Sequence, residues 1–318
     1  MTRKNFVETF LTIIKSYYSI IKYRKTIKGG LDFIFIKNIG GLFMSKMKQL
    51  VYFGWIQALS CVFPVVIFAS LAITQIMSLP MLPRYDWLLI ICLFMQWWMV
   101  YSGLETKDEL KVITLFHLIG LGLELFKVHM GSWSYPEEGY SKLLGVPLYS
   151  GFMYASVASY LCQAWRRMNV VLVKWPPFFI VVSLAFAIYL NFFTHHFWLD
   201  IRWWLSGLVI LVFWNSWVTY EVNGKCYRMP IALSFVLIGF FIWIAENIAT
   251  FFGAWQYPNQ THTWSLVHLG KVSSWLLLVI VSFLIVATLK QTKKKIVNGD
   301  ALDKPTNLLL KSLRDLGQ

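Results

Sequence analysis

The chain has 318 residues, 58% hydrophobic and 18% aromatic, with a mean hydropathy of +0.59. Charged residues are only 14%, so a water-soluble fold of this size is excluded: it could not cover so much apolar surface. The net charge of +14 gathers at the termini and in alternate loops, which reads as a membrane topology signal and not as a nucleic-acid surface.

Taken in order, residues 1–43 are rich in Lys, Ile, Asn and Tyr and hold no uncharged run long enough to span a bilayer. The segment lacks the compact apolar core and small-residue cleavage site of a signal peptide. The codons of Gly40-Gly41, a short step upstream of Met44, can spell a ribosome-binding tract. The segment is therefore read as a poorly structured basic leader with Met44 or Met47 as the start; a basic amphipathic surface helix is the alternative.

About eight spans follow, each near the ~20 apolar residues a bilayer requires. They are Trp55–Met77, Asp86–Gly103, Leu110–Phe126 and Gly145–Trp165, then Pro176–Phe193, Arg202–Tyr220, Met229–Phe252 and Ser265–Leu289. The expected fold is an all-α polytopic transmembrane helical bundle over residues 55–289. A polar tail, 290–318, follows. Lys107, Lys111, Arg166, Arg167, Lys174, Lys225 and Arg228 fall in one set of alternate loops, with Lys290 and Lys293 to Lys295 on the same side. The opposite loops hold only Arg84, Lys127, Lys142 and Arg202, so both termini are expected in the cytoplasm of a bacterial cell, the protein lying in the inner membrane. Glu105, Lys107, Asp108 and Glu109 then form a solvated cytoplasmic loop. The four cysteines (Cys61, Cys92, Cys162 and Cys226) show no Cys-x-x-Cys spacing, which points away from a disulfide framework or thiolate metal site.

One pattern occurs twice. Glu124 is followed by Gly131-Ser-Trp133-Ser-Tyr135-Pro136, and Glu246 by Gly253-Ala-Trp255-Gln-Tyr257-Pro258, at identical spacing. Arg84-Tyr-Asp86-Trp87 and Asp200-Ile-Arg202-Trp203 are a weaker second match. These repeats predict two halves, 55–165 and 174–289, of four spans each. An even number gives both halves one orientation, related by an axis along the membrane normal. A carboxylate near the end of a span is costly unless paired or wetted, so Glu124 and Glu246 are read as a shared polar site. Against this stands the plainer reading that each caps its own loop. Trp133, Tyr135, Trp255 and Tyr257 are either interfacial anchors or aromatic walls around a lipid-soluble or small-molecule ligand.

His195-His196 with Asp200 is the most ligand-like cluster, and on a helical path His196 and Asp200 share a face. A metal would need a third ligand from Glu124, Glu246 or His129, and the spacing matches no closed zinc signature. The cluster is thus read as acid–base or hydrogen-bonding, and no metal or cofactor is assigned. Asp200 pairing with Arg202 is the structural alternative. His117 lies two turns before Glu124, and Lys271, sharing a face of the last span with His268, is expected to pair with Glu246. No P-loop, dinucleotide turn or nucleophile elbow is present, which argues against an ATP-driven pump acting alone.

Several strings carry a family resemblance: Glu105-Thr-Lys-Asp-Glu109-Leu-Lys111, Phe116-His117, Glu124-Leu-Phe-Lys127, Gly131-Ser-Trp133-Ser-Tyr135-Pro136 and Gly145-Val-Pro147-Leu. Gly151-Phe-Met-Tyr154-Ala, Asn191-Phe-Phe-Thr-His195-His196, Arg228-Met-Pro230, Ala245-Glu246-Asn247 and Trp255-Gln-Tyr257-Pro258 continue it. From Trp55 to Leu289 the chain resembles the YoaT-like family of bacterial integral membrane proteins, a domain of unknown function, so the resemblance implies a membrane fold and carries over no catalytic residue. In having Glu followed by Gly-x-Trp in repeated helical units it is also similar, at the level of fold, to the small carotenoid-modifying membrane proteins, including lycopene cyclase domains.

Three functions stay open. One is a membrane enzyme acting on a lipid-soluble, isoprenoid-like substrate, with Glu124 and Glu246 as proton donor and acceptor. The second is a proton-coupled secondary transporter working between the repeats. The third is a structural membrane partner. The partners are the bilayer and a lipid-soluble or small-molecule ligand, with no nucleic acid.

Overall fold

The computed structural model describes residues 35–77, 80–269 and 271–297. Most of the expected leader and the tail from residue 298 onward lie outside the described residues. Contacts divide the chain after Val51: up to there the described part is the opening of one helix, and from Tyr52 a single unit holds everything discussed below.

That first helix, α1 (Phe35–Ser60), is followed by α2 (Val62–Ile76), and the pair bends by 70° at Cys61. Pro64 explains the break. Its ring lacks an N–H and clashes with the carbonyl four residues back, that of Ser60. Next come α3 (Arg84–Tyr101), α4 (Lys107–His129), the short hairpin β1 (Lys142–Leu143) and β2 (Val146–Pro147), and α5 (Ser150–Arg167). Then follow β3 (Val171–Val173), α6 (Phe178–Thr194), α7 (Arg202–Val212), β4 (Trp217–Val222), β5 (Lys225–Pro230), α8 (Ile231–Phe251) and α9 (Lys271–Val297).

The fold is mostly helical, with α4 and α8 long and apolar enough to cross a membrane and a third span if α1–α2 counts as one. The sequence predicts about eight full-length spans; of the described helices, only these meet the length and hydropathy of a full span. The expected first span is broken at Cys61. The sixth, Arg202–Tyr220, stops at Val212, and its last residues enter β4. The eighth begins at Lys271 instead of Ser265, leaving His268 exposed ahead of it. Hydropathy over α5 is lowered by Ser150, Ser156, Ser159 and Gln163, polar residues turned into the packing.

The antiparallel sheet β3-β4-β5 has no counterpart in the expected bundle. Its tight hairpin turns on Asn223 and Gly224 at φ +49° and +72°, the two left-handed positions of an Asn-Gly turn. Several helix pairs correspond, α2 on α3, α4 on α5 and α2 on α5 with α6 on α7, α8 on α9 and α6 on α9, while α7 on α9 packs without a matching α3–α5 pair of like extent. Contacts of α5 with α9 and α2 with α8 join the two sets. With a rise of ~1.5 Å per residue, α8 holds the β4–β5 hairpin and the second Trp-x-Tyr-Pro loop about 30 Å apart.

Of the residues expected in a solvated loop, Lys107 and Asp108 are exposed, but the carboxylates of Glu105 and Glu109 are buried. Glu109 closes a capping box with Thr106 at the start of α4, and its Oε2 lies 3.4 Å from the Arg166 guanidinium at the end of α5. Glu105 accepts hydrogen bonds from Gln96 Nε2 at 2.5 Å and from the Ser159 hydroxyl. Burial raises its pKa above the usual carboxylate range, although these two donors and Arg166 pull the other way. Thr106-x-x-Glu109 is a legible N-cap signature, and it ties two helices together instead of facing water.

Candidate functional site

The site begins with two helix ends of the same design. After α4, the amide of Gly131 donates to Val128 O and that of Ser132 to Lys127 O. After α8, Gly253 donates to Thr250 O and Ala254 to Ala249 O. Each glycine is left-handed, φ +67° at Gly131 and +68° at Gly253, as this helix-ending motif requires. The chain leaves both helices in the same way, and the two loops meet. Ser134 and Gln256 exchange both backbone N–H···O=C bonds at 2.9 Å as an antiparallel bridge.

Each loop folds back on the glutamate of its own helix. Glu124 Oε2 accepts from Trp133 Nε1 and from the Tyr135 hydroxyl, both at 2.7 Å, and Oε1 accepts from Tyr154 of α5 at 2.9 Å. Glu246 accepts from the Tyr257 hydroxyl and, at 2.5 Å, from Trp275 Nε1 of α9. The two cages touch: the Trp133 and Tyr257 rings meet edge to face at 5.9 Å. Tyr135 and Tyr257, in the loops, have pKa values pushed well above 10, first by burial and then by the adjoining carboxylates, so both phenols stay protonated donors. Glu124 also acts on Tyr257, which sets both acids within one electrostatic neighbourhood.

Close approach of α4 and α5 makes this possible. A Cβ at Gly120 would overlap the Tyr154 ring, so only glycine lets that tyrosine reach Glu124. Arg84 fastens the loop end: Nη2 donates to Phe252 O at 2.6 Å and to Leu71 O at 3.0 Å, while Nη1 donates to Gly253 O and pairs with Glu137 at 2.7 Å.

One turn beyond Glu124, buried Lys127 points at the end of α6. Its ammonium donates to Phe192 O at 3.2 Å, His195 Nε2 at 3.3 Å and His196 Nε2 at 2.8 Å, and stands 4.1 Å from the Phe192 ring centre. When Lys127 is charged it can only donate, and in that state both Nε2 atoms accept and both imidazoles carry their proton on Nδ1. His195 Nδ1 accordingly donates to Asn191 O at 3.0 Å. Partial burial, the Lys127 charge, His195 and Lys271 hold His196 down to about 4; burial and Lys127 likewise lower His195. Both rings are neutral at neutral pH.

The remaining expected site residues divide. Lys271 joins the cages, with its ammonium 4.8 Å from the Tyr257 ring centre and 5.5 Å from that of Trp133. Lys271 and Glu246 act on each other electrostatically, as expected of the pair, but among the described residues they make no contact close enough for an ion pair; Tyr257 and Trp275 are the donors bonded to that carboxylate. Trp255 is buried and does not mirror Trp133, since Trp275 supplies the indole that bonds Glu246. Asp200 and His196 do not share a helical face, for α6 ends at Thr194. Asp200 instead pairs with Arg202 Nε at 2.5 Å. Burial works against its charge, but the Arg202 amide and guanidinium and Asn191 hold its pKa below the ordinary value. His117 sits away from the cages, its ring 4.4 Å from that of Phe152 and against Gly151. Among the described residues no group of three His, Cys, Asp or Glu is arranged to hold a metal.

Residues 49–283 match the family described as protein of unknown function, DUF817. The chain is 83% identical over 252 residues to a protein of Bacillus subtilis (strain 168) named "Uncharacterized protein YoaT", an overlap of 79% of this chain and 96% of that relative. No solved structure matches the chain.

Proposed function

We propose, for a chain that belongs to the DUF817 family of proteins of unknown function, that it is a membrane enzyme acting by acid–base chemistry on a lipid-soluble substrate. In this reading eight helices, α2–α5 and α6–α9, cross or enter the bacterial inner membrane as two parallel halves with both termini cytoplasmic. The matched packing α2/α3, α4/α5, α2/α5 and α6/α7, α8/α9, α6/α9 supports two halves. The observation that carries the site is the Ser134–Gln256 bridge, which sets the two glutamate cages against each other at one end of α4 and α8. Glu124 and Glu246 serve as proton donor and acceptor, Trp133 and Tyr257 wall the substrate, and the neutral imidazoles of His195 and His196 exchange protons with solvent. Groups gathered at one end of the helices suit a substrate that stays in one leaflet. A transporter working between halves needs its site near the midplane.

The test is to express Glu124→Gln and Glu246→Gln and compare extracted membrane lipids and proteoliposome uptake with wild type. A lipid precursor accumulating in both variants, with uptake unchanged, is the expected result. Lost uptake with unchanged lipids would turn the reading to transport, and no change in either would end both.

A further inference from the structure

Around the cages each carboxylate already has donors of its own. Glu124 has three donors, Glu246 has two, and Asp200 is held by Arg202 and Asn191. The four ion pairs among the described residues are Arg84–Glu137, Lys111–Asp108, Arg166–Glu109 and Arg202–Asp200. Lys271 belongs to none of them; its ammonium faces aromatic rings and interacts with the Glu246 carboxylate only at longer range. Lys127, a turn from Glu124, is bonded only to neutral acceptors. Lys127 bonds both histidines, Arg202 and Asp200 act together on His195, and Lys271 acts on His196, so cations outnumber the one carboxylate at this histidine pair. Such a group of donors calls for an anionic oxygen ligand, and a phosphate accepts from several donors at once.

Beside them a cleft opens between α6 and α9. Asn191, His195 and Arg202 line it at one end, and Ile188, Leu277 and Val281 at the other. Its polar end adjoins exposed apolar side chains in the loop after α6 and the first turn of α7: Phe197 is 74% exposed, Trp198 78% and Trp204 82%. Exposed Trp and Phe beside a cationic mouth suit a headgroup zone, and they favour a ligand arriving from the bilayer over one arriving from water.

We infer that this cleft binds the phosphate-bearing headgroup of an anionic membrane lipid, with Arg202 and the Lys127-bonded His195 on the phosphate, Lys271 adding positive charge nearby, and the lipid chain along Ile188, Leu277 and Val281. The inference rests on reading the helices as membrane-embedded and does not require catalysis. A protein that captures the lipid without converting it would uphold this inference while ending the enzyme reading.

The experiment uses the full chain in detergent micelles with a phosphatidic acid carrying a diazirine in its acyl chain, and maps the cross-links by mass spectrometry. Labels are expected within 188–202 and 277–281. Unlabelled phosphatidic acid should compete and phosphatidylcholine of equal chain length should not. Lys271→Gln should lower labelling at least fivefold, with Lys271→Arg restoring most of it. Labels scattered elsewhere, or equal competition by phosphatidylcholine, would overturn the assignment. Millimolar inorganic phosphate displacing the label as well as the lipid does would overturn the lipid as source. If Lys271→Gln does not fold, the wild-type cross-link map alone decides.

Discussion

At the scale of single residues, the chemistry is set by which groups can only give a proton and which can only take one. Lys127 is the clearest case. In the sequence it counts as one more loop cation, and nothing in its neighbours announces that it will sit between two histidines 68 and 69 positions away. Its ammonium fixes the tautomer of both rings and helps keep His196 neutral down to about 4. An unfolded chain would protonate that ring near the ordinary ~6.5. Between those two values the unfolded state binds the extra proton, so stability should fall as the pH drops from ~6.5 toward 4 and level off below. Replacing Lys127 with Met removes one of the charges responsible, so His196 should titrate closer to its ordinary value and the pH dependence of melting should flatten. Ring NMR of histidine-labelled protein reads this directly. A wild-type His196 that already titrates near ~6.5 would refute the placement of Lys127. The caging partners were equally hidden: Tyr154 and Trp275 reach the glutamates from α5 and α9, and no spacing within one segment reveals a bond between segments.

At the scale of elements, the repeated Gly-x-Trp-x-Tyr-Pro loops were the most legible part of the chain. Their meaning is local: glycine ends a helix through its left-handed φ, and the loop's Tyr, joined by Trp133 in the first copy, then folds back onto the acid about three turns behind. That local logic also predicts their sensitivity. Gly131→Ala meets nothing within 4 Å of the new Cβ, so its cost should be the left-handed conformation alone, about 1–2 kcal/mol. Gly253→Ala adds a tight contact of 3.1 Å with the Gln75 side-chain oxygen, with Arg84 in ordinary contact at 3.6 Å, so it should cost more. Thermal melting of both variants in one detergent decides it, and equal or absent losses would show that the paired caps do not govern these loops. Other elements misread for a physical reason. Asn223-Gly224 is a strong hairpin signal, but the apolar run from Arg202 to Tyr220 reads as a helix until β4 pairs with β3 and β5. Pro64 gives the break at Cys61 equally plainly once its missing N–H is weighed against hydropathy.

At the scale of the whole molecule, charge in alternate loops and the even number of helices per half led to one orientation for both motif loops. Their pairing at Ser134 and Gln256 agrees with a common end. Which end faces the cytoplasm is a separate question with a direct measurement. Cys226 in β5 is exposed, and Tyr140, 83% exposed, lies in the stretch between the first motif loop and β1. In the proposed topology these positions lie on opposite sides of the bilayer, separated by helices such as the 21-residue α8, long enough to cross its hydrocarbon core. A membrane-impermeant maleimide added to intact spheroplasts should therefore leave native Cys226 unlabelled and label a Tyr140→Cys variant. In inverted vesicles the pattern should reverse. Equal labelling of both positions from one side would place the β-sheet and the glutamate cages on the same surface. The charge bias of the loops would then have to be explained by something other than topology, and the proposed lipid route into the α6–α9 cleft would lose its leaflet.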